Sequence, residues 1–259
     1  MEMKKYLLDM KVSANEQLGE RHFLLRLTHP TPLPDMLPGQ FVNLRIDNTP
    51  SVMLRRPISI HHVDRKNNEL WLLVAAIGDG TRWISSLRPG ATVNCLLPLG
   101  NGFSVGKSGH RPLLIGGGVG IAPLYELGCM LRDNGTEPTF LLGARTAGDL
   151  LQLDLFRQLG TVLLTTEDGS AGERGFVTQH TALNNGNYTY IYTCGPKPMM
   201  MAVARYSRQT GTPCEASLEN MMACGLGACL CCVEKTHDGN LCVCKDGPVF
   251  NVDNLLWNV

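Results

Sequence analysis

Short runs of apolar or alternating residues fill the first hundred positions of the chain. Pro, Gly, Asn and Asp separate these runs and favour turns between them. Strands of this length, at fairly regular spacing, are typical of a small antiparallel β-barrel. The pattern predicts strands over residues 6–12, 22–28, 40–46, 58–62 and 70–76.

From residue 111 onward the pattern changes to apolar strands that alternate with helical stretches. Such alternation predicts a parallel, doubly wound sheet, which binds ligands at the carboxyl ends of its strands. The expected strands cover residues 112–115, 139–142, 162–166, 188–193 and 213–218. The expected helices run to about residue 132 and over 150–159, 175–183 and 196–210.

A glycine run lies between the first of these strands and its helix. Gly116, Gly117, Gly118 and Gly120 differ from the standard G-x-G-x-x-G spacing, but they follow a strand and precede a helix. That position predicts a dinucleotide site, and the alternative is a turn for close strand–helix packing. Cys194 and Gly195, at the end of another strand, would reach the same crevice.

Charge and hydropathy narrow the classes of partner. The chain of 259 residues has a net charge of zero and no basic tract, which argues against nucleic acid. Its apolar runs are too short to cross a bilayer. The start, Met1-Glu2-Met3, does not lead into an apolar signal core, and the ten cysteines then favour a reducing cytoplasm.

Two stretches of the predicted barrel could bind an anionic ligand. Arg56, Pro57, Ile58 and Ser59 place a guanidinium and a hydroxyl at the start of a strand, where they suit a phosphate and a flat heteroaromatic ring. The alternative is an exposed arginine pair before an edge strand. Residues 78–81 predict a glycine-rich turn that opens a helix, whose free N–H groups favour an anion. There the alternative is a simple N-cap by Asp79 or Thr81.

The densest chemistry lies in the cysteines near the C-terminus. Cys224, Cys229 and Cys232 have the C-x4-C-x2-C spacing of a plant-type [2Fe–2S] site, and Cys242 or Cys244 could supply the fourth ligand. A structural zinc site is an alternative, although it usually pairs two C-x2-C units. A disulfide framework would need an oxidising compartment. Cys95, Cys129 and Cys214 are expected to be small core residues, and Cys231 competes for a ligand position.

Taken in order, these stretches resemble the ferredoxin–NADP reductase-type flavoproteins. With the cysteine segment and the run from Cys244 to Phe250, the chain closely resembles the electron-transfer subunits of NAD-dependent dihydroorotate dehydrogenase B. One departure is that residues 72–76 contain no tyrosine, which the family often has there. The resemblance implies a flavin barrel over residues 1–105, an α/β nucleotide domain over 106–212 and a cluster subdomain over 213–259.

The resemblance also implies a set of site residues. FAD would contact Arg56, Pro57, Ile58, Ser59, Gly80, Thr81 and the backbone of Leu73, Val74 and Ala75. NAD(H) would contact Gly117, Gly118, Gly120, Cys194 and Gly195. The cluster ligands would be Cys224, Cys229, Cys232 and Cys244, with the last brought in by a tight hairpin at Asp238 and Gly239. No side chain is expected to act as a catalytic residue, because the cofactors carry the electrons.

By the same resemblance, the chain would relay electrons between NAD(H) and the FMN of a separate catalytic subunit, in a heterotetramer of two plus two chains. That partner would oxidise dihydroorotate to orotate for pyrimidine biosynthesis. The family favours NADH, although Arg145 could contact a ribose phosphate. Two alternatives are the small subunit of another reductase, of ferredoxin:NADP or hydrogenase type, and a zinc-stapled module with no redox role.

Overall fold

The barrel predicted for the first hundred residues is confirmed. The computed structural model describes residues 4–184 and 186–257, so Met1, Glu2 and Met3, on which the signal-peptide argument rested, lie outside the described residues. Six antiparallel strands close in the order β1-β2-β5-β4-β3-β6. They are β1 (Tyr6–Gln17), β2 (His22–Thr28), β3 (Phe41–Leu44), β4 (Arg56–Asp64), β5 (Glu69–Ala75) and β6 (Thr92–Leu99). Inward side chains, among them Val42, Leu44, Ile60, Leu72 and Val93, are fully buried.

Strand β6 is absent from the predicted strands because Asn94 and Pro98 interrupt its apolar run. Pro98 lies next to the end of the strand, where a missing N–H donor costs little. Asn94 is buried but satisfied: it donates to Asp9 at 2.7 Å and accepts from Arg55 at 2.6 Å. A polar residue inside a strand is therefore tolerated here by partners that are distant in sequence.

A short helix, α1 (Asp79–Ser86), follows β5. The glycine-rich turn at residues 78–81 had predicted this helix. Gly78 is its N-cap residue, and the Thr81 hydroxyl accepts from the backbone N–H groups of Ile77 and Gly78 at 3.0 Å each. The alternative of an N-cap by Asp79 or Thr81 is therefore wrong, because Gly78 holds that position and Thr81 reaches back to it from the first turn.

The second half of the chain forms the predicted doubly wound sheet. Its strand order is β10-β9-β8-β7-β11-β12-β15, and only β15 is antiparallel to its neighbour. The strands are β7 (Pro112–Gly117), β8 (Thr139–Ala144), β9 (Thr161–Thr166), β10 (Glu173–Arg174), β11 (Tyr190–Cys194), β12 (Cys214–Ser217) and β15 (Val249–Asn251). The helices are α2 (Ala122–Asp133), α3 (Leu153–Leu159) and α4 (Lys197–Thr210).

Both faces of this sheet are covered, as its parallel strands require. Along β7, Leu113 and Ile115 pack in one core with Met200 and Val203 of α4. Leu114 points to the other face and packs with α2 and α3. The nearly continuous apolar run of β7 is thus explained by burial on two sides.

One predicted helix is wrong. Residues 175–183 form two short 3₁₀ turns, Val177–Gln179 and Thr181–Leu183. Gln179 accepts from the Phe176 N–H at 2.8 Å, and Glu173 accepts from the Thr181 N–H at 2.9 Å. A continuous helix would donate the Thr181 N–H to the Val177 carbonyl, so the Glu173 carboxylate competes with that bond and the segment breaks into turns.

The cysteine segment joins both halves of the molecule. The expected hairpin is present as β13 (Val233–Thr236) and β14 (Gly239–Cys242), but the turn residues are His237 and Asp238. Gly239 opens β14 with φ +100°. Strand β15 then pairs with β12 at the sheet edge. The chain division at residues 105 and 212 stays a prediction, and β12 and β15, both beyond 212, belong to the same sheet as β11. Across the described residues, no helix combines the length and apolarity needed to span a membrane.

Candidate functional site

The barrel is open between two segments of β4 and β5. From Ile60 onward β4 pairs with β5, whereas residues 56–59 pair with β3 alone. On the other side, Leu73, Val74 and Ala75 pair with β2 alone. Within the described strands, the facing edges of these two segments thus have no ladder partner. Free backbone N–H and C=O groups along such a gap suit the polar edge of a flat ring, and residues 56–59 are all half-buried.

Arg56 and Gly80 come together at one end of this gap. A Cβ atom built at Gly80 would overlap Arg56 Nε, so only glycine admits the guanidinium against the first turn of α1. Arg56 also donates to the Leu54 carbonyl at 2.7 Å, which holds its side chain in place. A guanidinium beside a helix N-terminus is an arrangement that fits a diphosphate. The FAD roles of these residues and of Thr81 remain predictions.

A cavity of about 610 Å³ lies between the barrel and the carboxyl ends of the sheet strands. Gly117 and Gly118 line it from the glycine run, and Arg145 and Glu167 line it after β8 and β9. Gly118 has φ +56° and nothing within 4 Å of a built Cβ, so its backbone faces open space. Thr165 Oγ1, also at this cavity, is buried without a hydrogen-bond partner among the described residues. An elongated polar ligand would supply that partner.

The other residues predicted for NAD(H), Gly120, Cys194 and Gly195, do not line this cavity and pack against one another beside it. A Cβ at Gly120 would lie 2.5 Å from Gly195 Cα and 2.6 Å from the Cys194 carbonyl oxygen. Gly120 therefore allows the loop to pack directly on β11. The Cys194 side chain is fully buried, and its thiol donates to Glu219 Oε1 at 3.8 Å. Burial raises the pKa of the Cys194 thiol well above its usual value, and the Glu219 carboxyl raises it further.

Strand β4 and helix α2 set the position of the barrel relative to the glycine run. His61 contacts the Ala122 carbonyl through Nδ1 at 3.0 Å and stacks on Tyr125 with ring centroids 5.0 Å apart. His62 Nδ1 contacts Glu126 Oε2 at 2.6 Å. Burial lowers the pKa of His61 to about 4, so its imidazole is neutral at pH 7. Strand β4 and helix α2 are thus held together by polar contacts where they cross.

The four predicted ligand thiols form two contacting pairs, Cys224 with Cys229 and Cys232 with Cys244. Backbone N–H groups point at them: Leu226 donates to the Cys224 sulfur at 3.3 Å and Gly227 to the Cys244 sulfur at 3.1 Å. Two pairs of sulfurs with amide donors match the donor set of a [2Fe–2S] cluster. Gly225 and Gly227, at φ +70° and +79°, allow this tight wrapping.

These thiols differ in acidity. Burial opposes ionisation of Cys224, but hydrogen bonds from Leu226, Ala228 and Cys229 outweigh it and lower its pKa to about 6. Burial and the Cys232 thiol raise the pKa of Cys244 to about 12. The amide donors of the loop therefore favour the thiolate form of Cys224.

The spacing of the sulfurs bears on the zinc alternative. Four thiolates on one zinc ion, at about 2.3 Å each, lie roughly 3.8 Å apart. Among the described residues, no three cysteine sulfurs lie within 4.8 Å of one another. The set that meets this limit is His62, Glu126 and Cys129, where His62 and Glu126 already bind each other. The cysteine sulfurs are thus more widely spaced than ligation of a single zinc ion requires.

The two other cysteines near the cluster loop have different surroundings. Cys231 is exposed, and its thiol donates to the Met221 carbonyl at 3.7 Å. Cys242 is buried, and its thiol donates to the Gly227 carbonyl at 3.8 Å. Both thiols face carbonyl groups, whereas the Cys244 sulfur faces an N–H donor. This contrast supports Cys244 as the fourth ligand.

Sequence reasoning missed Glu219, Glu167 and Asn43. Glu167 directly follows β9 and Glu219 closely follows β12, so the strand-end rule could have pointed to both. Asn43 gives no such signal, because it lies inside an apolar strand.

Comparisons with known proteins match this architecture. Residues 219–256 match the family model of the iron–sulfur cluster binding domain of dihydroorotate dehydrogenase B, and residues 114–205 match the oxidoreductase NAD-binding domain. A solved structure of an NADH-dependent reduced ferredoxin-NADP oxidoreductase, described for flavin-based electron bifurcation, superposes with a TM-score of 0.86. It shares 29% identity and covers 96% of this chain and 90% of the other. The ferredoxin reductase of carbazole 1,9a-dioxygenase, at 22% identity and a TM-score of 0.70, shares the fold.

Curated relatives extend the match over nearly the whole length. The electron transfer subunit of dihydroorotate dehydrogenase B (NAD(+)) from Shouchella clausii is 40% identical over 226 residues, which is 85% of this chain and 86% of the relative. The same subunit from Lysinibacillus sphaericus is 40% identical over 248 residues, or 93% and 95% of the two chains. This chain therefore belongs to the family of electron transfer subunits of NAD(+)-dependent dihydroorotate dehydrogenase B.

Proposed function

We propose that this chain relays electrons between NAD(H) and a dihydroorotate-oxidising catalytic subunit in pyrimidine biosynthesis. The observation that carries the proposal is the contact between the cluster loop and the barrel. A Cβ at Gly225 would lie 2.8 Å from Asn43 Nδ2 and 3.2 Å from Leu99 Cδ1. Asn43 pairs with Pro57, which belongs to residues 56–59 of β4, the segment proposed for FAD. The loop that carries Cys224 and Cys229 therefore lies beside that segment.

Three adjoining groups of residues would bind FAD, the nicotinamide nucleotide and the cluster. When bound, FAD supplies two-electron exchange with NAD(H) and one-electron exchange with a [2Fe–2S] cluster. Residues 56–59, Gly80 and Thr81 would hold FAD, with the backbone of Leu73, Val74 and Ala75 beside its ring. Gly117, Gly118 and Gly120 would admit the nucleotide, with Cys194 and Gly195 behind it. Cys224, Cys229, Cys232 and Cys244 would hold the cluster.

The exposed side of the cluster loop is suited to an electron-transfer partner. Met221, Leu226 and Leu230 are 85%, 45% and 66% exposed, which is unusual for such apolar side chains on a single loop. We propose that this face meets an FMN-containing catalytic subunit and that two chains of each kind form a heterotetramer. The units 1–105, 106–212 and 213–259 would act together in the cytoplasm.

Purification at native expression level tests the proposal. The chain should carry FAD and two irons, and it should reduce an artificial dye with NADH on its own. Orotate formation should appear only after the catalytic subunit is added. A colourless, zinc-containing preparation after anaerobic purification would contradict the relay and favour a zinc-stapled module.

A second candidate is the small subunit of another NAD(P)H oxidoreductase. The high structural similarity to the NADH-dependent reduced ferredoxin-NADP oxidoreductase favours it, because that structure covers 96% of this chain. Co-purification separates the two. A partner with FMN and dihydroorotate oxidation supports the first function, whereas a partner with several [4Fe–4S] clusters supports the second.

A further inference from the structure

Asn43 is a fully buried polar residue in the middle of β3. Among the described residues, neither its amide nitrogen nor its amide oxygen has a hydrogen-bond partner. Turning the amide by half a rotation exchanges two unpartnered atoms and relieves neither. A buried carboxamide without partners is costly, because it has lost its hydrogen bonds to water.

The position of Asn43 indicates what its partner is. Val42 and Leu44 point into the barrel core, so Asn43 points to the outside of the barrel, as does Phe41. Phe41 packs there in one core with Cys232 and Cys244. Asn43 Nδ2 itself lies against Gly225 of the cluster loop.

Asn43 also lies next to β4, whose residues 56–59 are proposed to hold FAD. It is paired with Pro57 of β4 on one side and with Leu96 of β6 on the other. Its backbone carbonyl accepts from Arg55 Nη1 at 3.2 Å, so the strand is fixed while the side-chain amide is not. The unpartnered amide thus lies between the residues proposed for FAD and those proposed for the cluster.

We propose that Asn43 is a cofactor-binding residue whose side-chain N–H donates a hydrogen bond to a sulfur atom of the [2Fe–2S] site. This inference rests on the proposed function, because the cluster supplies the acceptor. Hydrogen bonds to cluster sulfurs stabilise the reduced, more negative state and raise the reduction potential. Asn43 therefore sets the potential of the cluster on the side that faces the flavin.

The test compares the wild-type holoenzyme with Asn43→Leu, which keeps the shape and removes the donor, and with Asn43→Asp, measured at high pH, where the ionised carboxylate keeps acceptors only. Iron content and absorbance first establish that each protein holds its cluster. Both variants should shift the cluster midpoint potential to more negative values, Asp further than Leu. Pulsed EPR after exchange into D₂O should lose one strongly coupled deuteron in each variant.

Stability gives an independent readout with opposite expectations. If the amide binds the cluster, Asn43→Leu lowers the melting temperature of the holoenzyme. If the amide has no partner, Asn43→Leu should instead raise the melting temperature, because it removes an unsatisfied buried polar group. As a control, Asn15 is an amide that donates to the carbonyls of Ile84, Ser85 and Leu87, away from the cluster loop. Asn15→Leu should lower the melting temperature and leave the cluster potential unchanged.

The outcomes are distinguishable. Wild-type protein without iron would sink the proposed function and this inference together. A wild-type cluster whose potential and deuteron coupling are the same in Asn43→Leu would overturn the inference alone.

Discussion

The thiol of Cys194, at the end of β11, donates to the carboxyl group of Glu219, which begins the cluster segment, over 3.8 Å. This contact connects the end of β11, next to the glycine run, to the segment that carries the cluster cysteines. Burial raises the pKa of Glu219 above its ordinary value of 4.5, and the hydrogen bond from Cys194 offsets only part of that rise. Glu219 thus holds its proton in the folded protein to a higher pH than in the unfolded chain.

This shift predicts a pH-dependent stability. Above pH 4.5 the unfolded chain releases the Glu219 proton while the folded protein keeps it, so the free energy of unfolding falls as pH rises through the folded pKa. Glu219→Gln, which is neutral throughout, should remove this slope. Melting temperature measured from acid to neutral pH checks it, with Glu137→Gln as the control at an exposed, ion-paired carboxylate. Parallel profiles for wild type and Glu219→Gln would contradict the shift.

The Arg56–Gly80 contact predicts a steric requirement for flavin binding. In Gly80→Ala, the new methyl group would overlap the guanidinium and push Arg56 from its place at the start of α1. We expect FAD affinity to fall at least about tenfold, or roughly 1.4 kcal/mol. Flavin retained per chain after gel filtration measures the effect.

Gly78 offers a matched control two residues earlier. It has φ −129° and nothing within 4 Å of a built Cβ, so Gly78→Ala should keep FAD as the wild type does. Equal flavin loss in both variants would mean that helix propensity, and not the Arg56 contact, controls binding.

How far the sequence predicts this molecule depends on the range of the interactions. The period of apolar residues placed most barrel strands and the parallel sheet, because burial on one or two faces leaves a local pattern. Residues 175–183 departed from prediction because the Glu173 side chain accepts from the Thr181 N–H, a contact that the apolar period does not record. The predicted turn at Asp238 and Gly239 was shifted by one residue for the same kind of reason: Thr236 accepts from the Asp238 N–H.

In the candidate site, too, residues close in sequence were predicted and contacts between distant residues were not. Cysteine spacing identified the cluster loop because all but one of its proposed ligands are close in sequence. The crossing of His62 with Glu126 and the burial of Asn43 against Gly225 join residues more than sixty positions apart. No local pattern records such contacts.

Coenzyme choice should depend on Glu167. Glu167 and Arg145 both line the cavity, and their loops are joined by the Glu167 N–H donating to the Ala144 carbonyl at 3.1 Å. A carboxylate on this wall disfavours the extra phosphate of NADPH, by about 1 kcal/mol for charges roughly 4 Å apart in water. Glu167→Gln should therefore raise kcat/KM for NADPH roughly fivefold relative to NADH.

Steady-state dye reduction with both coenzymes measures this ratio. Asp154, an exposed carboxylate paired with Arg157 on α3 and outside the cavity lining, gives the control variant Asp154→Asn. An unchanged ratio in Glu167→Gln would place the adenosine ribose elsewhere. If Arg145→Ala lowers the rate with NADPH, the Arg145 guanidinium attracts the extra phosphate that Glu167 repels.

The last prediction concerns the fourth cluster ligand. Cys244→Ser should lose the cluster, because its sulfur contacts Cys232 and accepts from the Gly227 N–H inside the loop. Cys242→Ser and Cys231→Ser should keep two irons per chain, since their thiols face the carbonyls of Gly227 and Met221. Iron analysis and the EPR spectrum of the reduced protein measure retention, and FAD content shows that each variant has folded. A Cys244→Ser protein with full iron, beside a Cys242→Ser protein without it, would transfer the ligand role to Cys242.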